Sequence, residues 1–195
     1  MQPLTRFTNG FVGLSAVVTF GLATLAPAAQ GQNAAQNGSG LAKSALGFLS
    51  TGGYFITGNA SHAIGSTKFY TQGAFYVKPK HIGNIALTGG VEIVGASDHF
   101  LPFQGGDYFN LLGPAFRVTT SKTYHGFQPY VTGGLFYGQL RSVQLGFDKS
   151  AFTPSASFGV DYKLTRNLSV SASYRVSQEI NGFNTDGFGL FLRLY

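Results

Sequence analysis

The chain has 195 residues, enough for one domain, with only 10% charged residues, 15% aromatics, 28 glycines and a formal net charge of +6. So few charges, against about 25% in a typical soluble domain, argue against an ordinary soluble surface, and a mean hydropathy of only +0.10 argues against a helical membrane bundle. There is no cysteine, which excludes disulfides and thiolate sites, and the basic residues form no run of the kind nucleic-acid binding needs.

The chain opens with a targeting pattern. Arg6 supplies a positive start, Phe11 to Leu25 is apolar and uncharged, and Ala26-Pro27-Ala28 offers the small residues a signal peptidase reads. Residues 1–28 are expected to be a cleavable signal peptide; the alternative is a retained anchor helix. Residues 29–44, rich in Gln, Asn, Ala, Gly and Ser, are expected to form a flexible mature N-terminus.

From residue 45 the pattern changes to a period of two. Strands are expected near 46–58, 68–78, 83–95, 108–119, 127–140, 152–164, 168–178 and 187–195. The alternation is clearest where Leu168, Val170, Ala172, Tyr174 and Val176 interleave with Ser169, Ser171, Ser173, Arg175 and Ser177. The connections are expected to alternate in length. Asn59 to Thr67, Ala96 to Asp107, Arg141 to Ala151 and Glu179 to Asp186 are the long ones. Shorter ones lie at Pro79-Lys80-His81, Thr120 to Gly126 and Thr165-Arg166-Asn167. Short turns on one side, longer loops on the other and an even strand number describe a transmembrane β-barrel.

The predicted fold class is therefore all-β, an eight-stranded antiparallel up-and-down barrel over residues 45–195, placed in the bacterial outer membrane with both termini periplasmic. Outer-membrane lipid, the barrel insertion machinery and periplasmic chaperones during export are the implied partners. No cofactor and no nucleic acid is implied, and no extracellular ligand is identified. Phe100, Phe103, Tyr108 and Phe109 are candidate girdle aromatics at the outer rim, with Phe127 and Tyr130 at the inner rim.

Six charged residues fall inside predicted strands: Glu92, Arg117, Asp161, Lys163, Arg175 and Arg193. All take the polar face, because a charge facing lipid at mid-depth costs about 2–4 kcal/mol. Strand direction sorts them by height and suggests two lumenal clusters, Asp161 with Arg117 or Arg193, and Glu92 with Arg175. Such charges act either as a structural plug or as a gate whose pairs exchange. The acids Asp98, Asp107, Asp148, Glu179 and Asp186 fall in the long connections. They read as solvated loop residues, or as a surface for divalent cations, although no calcium-loop pattern is present.

His62, His81, His99 and His125 all fall in predicted loops or turns, without metal-ligand spacing. Ser61-His62 with Glu92 is a conceivable triad for a lipid-modifying enzyme, but nothing in the spacing selects it. The favoured reading is non-enzymatic, a structural or surface-interaction barrel. The alternatives are a small diffusion porin and a lipid-modifying enzyme.

Three stretches carry a resemblance. They are Leu112 to Val118, Gln128 to Gly134, and Gly159 to Val170, with their G-x-x-x-R, P-Y-V-x-x-G and G-x-D-Y-x-L-T-x-N patterns. Together they resemble the outer membrane protein β-barrel family, the opacity-like porins related to the membrane domain of outer membrane protein A. The match covers residues 110 to 195. The resemblance implies an integral barrel and carries over no catalytic or ligand residues. It also implies a terminal aromatic read by the insertion machinery, the role expected of Tyr195. Tyr195 is out of phase with Leu190, Leu192 and Leu194, so either a bulge lies nearby or Arg193 shares its face. The peptidoglycan-binding domain of larger relatives is not expected after Tyr195.

Overall fold

The structure, a computed structural model, describes residues 46–99 and 106–195. The expected leader and mature N-terminus, together with Phe100, Pro102, Phe103 and Gly105, lie outside the described residues.

The strands are β1 (Leu46–Ile56), β2 (Thr67–Tyr76), β3 (Lys80–Ile82), β4 (Ile85–Ser97), β5 (Tyr108–Thr120), β6 (Phe127–Ser142), β7 (Phe147–Lys163), β8 (Leu168–Ser177) and β9 (Gly187–Leu194). One short helix, α1 (Ser61–Ile64), sits in the first long connection. Eight strands close on themselves. β1 pairs with β9 through Leu49 opposite Leu194, and β2 pairs with β4 through Phe69 opposite Ser97. All pairings are antiparallel, and closure leaves no open sheet edge across the eight-stranded wall. The ninth strand, β3, is a three-residue continuation of β2 along β4.

Alternation sets the two faces. On β9, Gly187, Gly189, Phe191 and Arg193 are buried while Phe188, Leu190, Leu192 and Leu194 are exposed. The same parity holds on β6, where Phe127, Val131, Leu135 and Tyr137 face out and Tyr130, Thr132 and Phe136 face in. Between Phe127 and Tyr137, ten residue steps apart, no outward charge occurs on β6 or on its partner β7. Ten steps at about 3.3 Å span ~33 Å along a strand, or ~25 Å of height at a tilt near 40°. That equals the apolar band of a membrane barrel. Above Tyr137 and Phe152 the outward positions turn polar, with Gln139, Arg141, Asp148 and Ser150. Facing water, so continuous an apolar wall would far exceed the patches soluble monomers expose.

Glycine enters where rings need room. A Cβ on Gly159 would lie 2.7 Å from Cζ of Tyr130, and one on Gly187 would lie 2.6 Å from Cε1 of Tyr54. Both rings pack inside the barrel.

Several expectations need correction. The second turn is not at Pro79-Lys80-His81 but at Gly83-Asn84, between Ile82 and Ile85, with Gly83 at φ +59°. Pro79 removes a donor and interrupts the ladder without reversing the chain. His81 consequently lies in β3 and shares a 3.1 Å hydrogen bond with the Ser121 hydroxyl. Arg141 to Ala151 is not a long loop. β6 and β7 continue as a hairpin to Ser142 and Phe147, closed by residues 143–146. The charges that suggested a loop lie on a ladder that has risen clear of the lipid band.

Candidate functional site

In the lumen, strand register gathers charges from β4, β5, β7, β8 and β9. At the end bearing the short turns, Asp161 of β7 is the acceptor. Nη2 of Arg117 donates to it at 2.6 Å, Nη1 of Arg193 at 2.7 Å, and the Tyr195 hydroxyl at 2.8 Å. Arg193 also reaches the Ser50 hydroxyl on β1 at 3.1 Å and Oε1 of Gln72 on β2 at 3.3 Å. One side chain of the last strand thereby touches both sides of the seam that closes the barrel. The aromatic walls complete the layer: the Arg117 guanidinium lies 3.7 Å from the Tyr130 ring centroid, and that of Arg193 lies 4.3 Å from Phe48. Cations over ring faces gain attraction that water does not compete for here.

One layer higher, Glu92 of β4 receives Nη2 of Arg175 at 2.6 Å, Nε2 of Gln72 at 2.8 Å and the Tyr76 hydroxyl at 2.9 Å. Gln72 therefore joins the two clusters, donating to Glu92 and accepting from Arg193. A neutral residue gave the sequence no reason to single it out, although it sits on the inward parity of β2. Glu92, Asp161, Arg175 and Arg193 are all fully buried. Ions so sealed are tolerable only because each carboxylate is held by several donors.

The end bearing the longer connections is closed differently. Tyr54, Tyr70 and Phe191 stack in the mid-lumen, with centroids 5.3 and 4.9 Å apart, and Phe109 meets Tyr54 edge-on at 5.5 Å. Above them, Ala60, Ala63 and Ile64 around α1 are buried with Ile56, Leu140 and Ile180. The Ser142 hydroxyl ties α1 down by donating to the Ala63 carbonyl at 2.6 Å, and Asn59 donates to the Gly182 carbonyl at 3.0 Å. Ionic packing fills one end of the barrel and apolar packing the other.

Five of the six predicted lumenal charges lie in these clusters. Lys163 does not: it is exposed at the end of β7, where the inward phase of the strand has already reached solvent. Lys68, missed because it begins its strand, is buried and ion-paired with Asp98 of the third connection. Tyr195 continues the inward phase of Arg193 without a bulge and lays its hydroxyl on Asp161. The girdle assignment fails at three positions. Tyr108, Phe109 and Tyr130 are all buried, Phe109 and Tyr130 within the lumen. Tyr130 stands three residues from Phe127 and so has the opposite parity. Phe127 is exposed as expected, and the outward aromatics also include Phe55, Phe69, Phe116, Tyr137, Phe152, Phe158, Tyr162, Tyr174 and Phe188.

Neither Ser61 nor His62 is among the three donors to Glu92. Among the described residues, no group of three or more His, Asp or Glu side chains is placed to hold a metal ion. Three of the acids accept from backbone amides: Asp186 from Ser177 at 2.6 Å, Asp98 from Asp107 at 3.1 Å and Asp107 from Val143 at 2.5 Å.

No protein-family profile matches the chain, and no curated protein sequence matches it. Solved structures do. Neisserial surface protein A is 15% identical with a TM-score of 0.50, over 77% of this chain and 97% of that one. Ail, the attachment invasion locus protein of Yersinia pestis, is 10% identical with a TM-score of 0.48, over 77% and 99%. The N-terminal β-barrel domain of Pseudomonas aeruginosa OprF is 14% identical with a TM-score of 0.47, over 77% and 96%. The likeness rests on the first of these and concerns fold alone: the chain has the eight-stranded antiparallel β-barrel fold of outer-membrane barrels.

Proposed function

We propose that this chain is an integral barrel of the bacterial outer membrane with a structural or surface-interaction role, non-enzymatic, and with a lumen that conducts nothing. The observation that carries the reading is the filled lumen. Between the Asp161 cluster and the α1 plug, Arg175, Arg193, Tyr70, Phe109, Phe136 and Leu111 are fully buried. An interior eight strands wide is just large enough to be filled by side chains. With the interior occupied, contact with other molecules falls to the rims and connections. The extended β6–β7 hairpin is the foremost of these, carrying exposed Val143 and Leu145 at its tip.

The outward apolar band supports a membrane location, and the apolar leader with its small-residue cleavage pattern supports export to the outer membrane with both termini periplasmic. Lipid, the insertion machinery that would read Tyr195, and periplasmic chaperones are then the partners of biogenesis.

Conductance tests the reading. The chain from Ala29, refolded and inserted in a planar bilayer, is expected to be electrically silent. Reproducible channel steps would favour a small diffusion porin instead. In that case the buried pair of Glu92 and Arg175 becomes the gate, and neutralising either residue should raise conductance. Against a lipid-modifying role, the three donors to Glu92 are Arg175, Gln72 and Tyr76, and neither Ser61 nor His62 is among them; unchanged membrane glycolipid masses with and without the protein are expected.

A further inference from the structure

Among the described residues, the lumenal charges do not balance. Three guanidiniums, Arg117, Arg175 and Arg193, are sealed in with two carboxylates, Glu92 and Asp161. Lys68 is matched by Asp98 and adds nothing. One positive charge is left in a site where an uncompensated ion is strongly disfavoured.

Register shows where. Arg117 stands opposite Thr132, Thr132 opposite Ser157, and Ser157 opposite Arg175, in one lateral row of inward side chains across β5 to β8. At about 4.8 Å between strands the row is ~14 Å wide. Arg117 leans from β5 over β6, its guanidinium on Tyr130 and its Nη2 on Asp161. Arg175 leans from β8 over β7, with Nη1 on the Ser155 hydroxyl at 3.2 Å. Along this row Nη1 of Arg117, Nε of Arg175 and Oγ1 of Thr132 are buried and have no hydrogen-bond partner among the described residues. Their residues are 7%, 2% and 2% exposed. Native interiors leave very few such atoms unmet. Both nitrogens are charged donors, and the hydroxyl can donate as well. A cation is therefore the wrong ligand and an anion the right one. The excess is a single charge and the surroundings are packed rings and hydroxyls, so the anion is monovalent and small.

We propose that the row from Arg117 to Arg175 holds one monoatomic halide, chloride in the cell, as the counter-ion of the lumen. It is a structural ligand: it offsets the third guanidinium.

Bromide is the probe. The full chain is refolded in sodium gluconate, an anion too large for the row, and its urea-unfolding midpoint is followed as sodium bromide is added. The midpoint is expected to rise with the logarithm of bromide concentration, with a slope of one anion per folded barrel. Crystals grown in bromide are expected to show one anomalous peak within hydrogen-bonding distance of Nη1 of Arg117 or Oγ1 of Thr132. Arg117→Gln balances the lumen at two charges each way, so its midpoint should show only the general salt effect. If that variant does not fold, Thr132→Val keeps the charge and removes the hydroxyl; the bromide concentration at which the midpoint begins to rise should then increase at least tenfold. A wild-type midpoint that moves with bromide no more than that of Arg117→Gln overturns the proposal. So does an unchanged onset concentration in Thr132→Val, or water in place of the anomalous peak.

Discussion

Asp161→Asn removes one charge and almost no volume, so its effect isolates what the carboxylate does. In the native lumen Asp161 accepts from Arg117, Arg193 and Tyr195 at 2.6 to 2.8 Å. Asparagine keeps one acceptor oxygen and turns an amide, itself a donor, toward two guanidiniums. At least two charge-assisted hydrogen bonds are weakened or lost, each worth about 1.5–3 kcal/mol. Breaking a buried pair from one side costs about 3–5 kcal/mol in comparable sites, and here two arginines lose their partner together. A loss of about 3–5 kcal/mol is expected, read as a lower urea midpoint of the refolded barrel by tyrosine fluorescence, since the chain has no tryptophan. Removing the stranded cations as well, in Asp161→Asn with Arg117→Met and Arg193→Met, should recover much of that loss. A single variant within about 1 kcal/mol of wild type would show that the carboxylate is hydrated in the folded barrel, and the sealed-lumen reasoning would be wrong.

Other perturbations separate the parts of the barrel. Leu190→Arg, on the exposed mid-strand face of β9, should cost about 2–4 kcal/mol in lipid, while Leu194→Arg at the strand end should cost about 0–1 kcal/mol; equal costs in the same unfolding assay would deny the lipid band. Gly159→Ala should destabilise by about 1–3 kcal/mol, because its Cβ meets the Tyr130 ring and the Ala172 carbonyl. Ile64→Asp should loosen α1 and raise proteolysis between residues 59 and 66 without creating conductance, since the ionic layers beneath it stay closed.

Much of this architecture is legible in the sequence because a strand with lipid on one side and packed lumen on the other must alternate. Leu168 to Ser177 shows that rule at its plainest, and all eight barrel strands follow from it. The lumenal charges are legible for the same reason: parity turns Glu92, Arg117, Asp161, Arg175 and Arg193 inward, and strand direction gives their heights. What the sequence conceals is set in three dimensions. Pro79 looks like a turn and is only a break in a ladder. Tyr130 looks like a girdle residue until its parity against Phe127 is counted. Gln72 is neutral and carries no flag, yet it joins the two clusters. Asp148 and Lys149 suggest a loop because charge in a strand is costly only within lipid, and the β6–β7 hairpin has left it.

The chain has no cysteine, so single cysteines report their surroundings without background. The most direct test of the account places them at Ser157 in the lumen, Leu190 on the lipid face and Val143 at the hairpin tip. Barrels refolded into vesicles are then exposed to a membrane-impermeant thiol reagent. Only Val143→Cys is expected to react. Labelling of Ser157→Cys at a rate comparable to the tip would mean water fills the lumen, and the claim of a closed barrel that acts through its rim would fall.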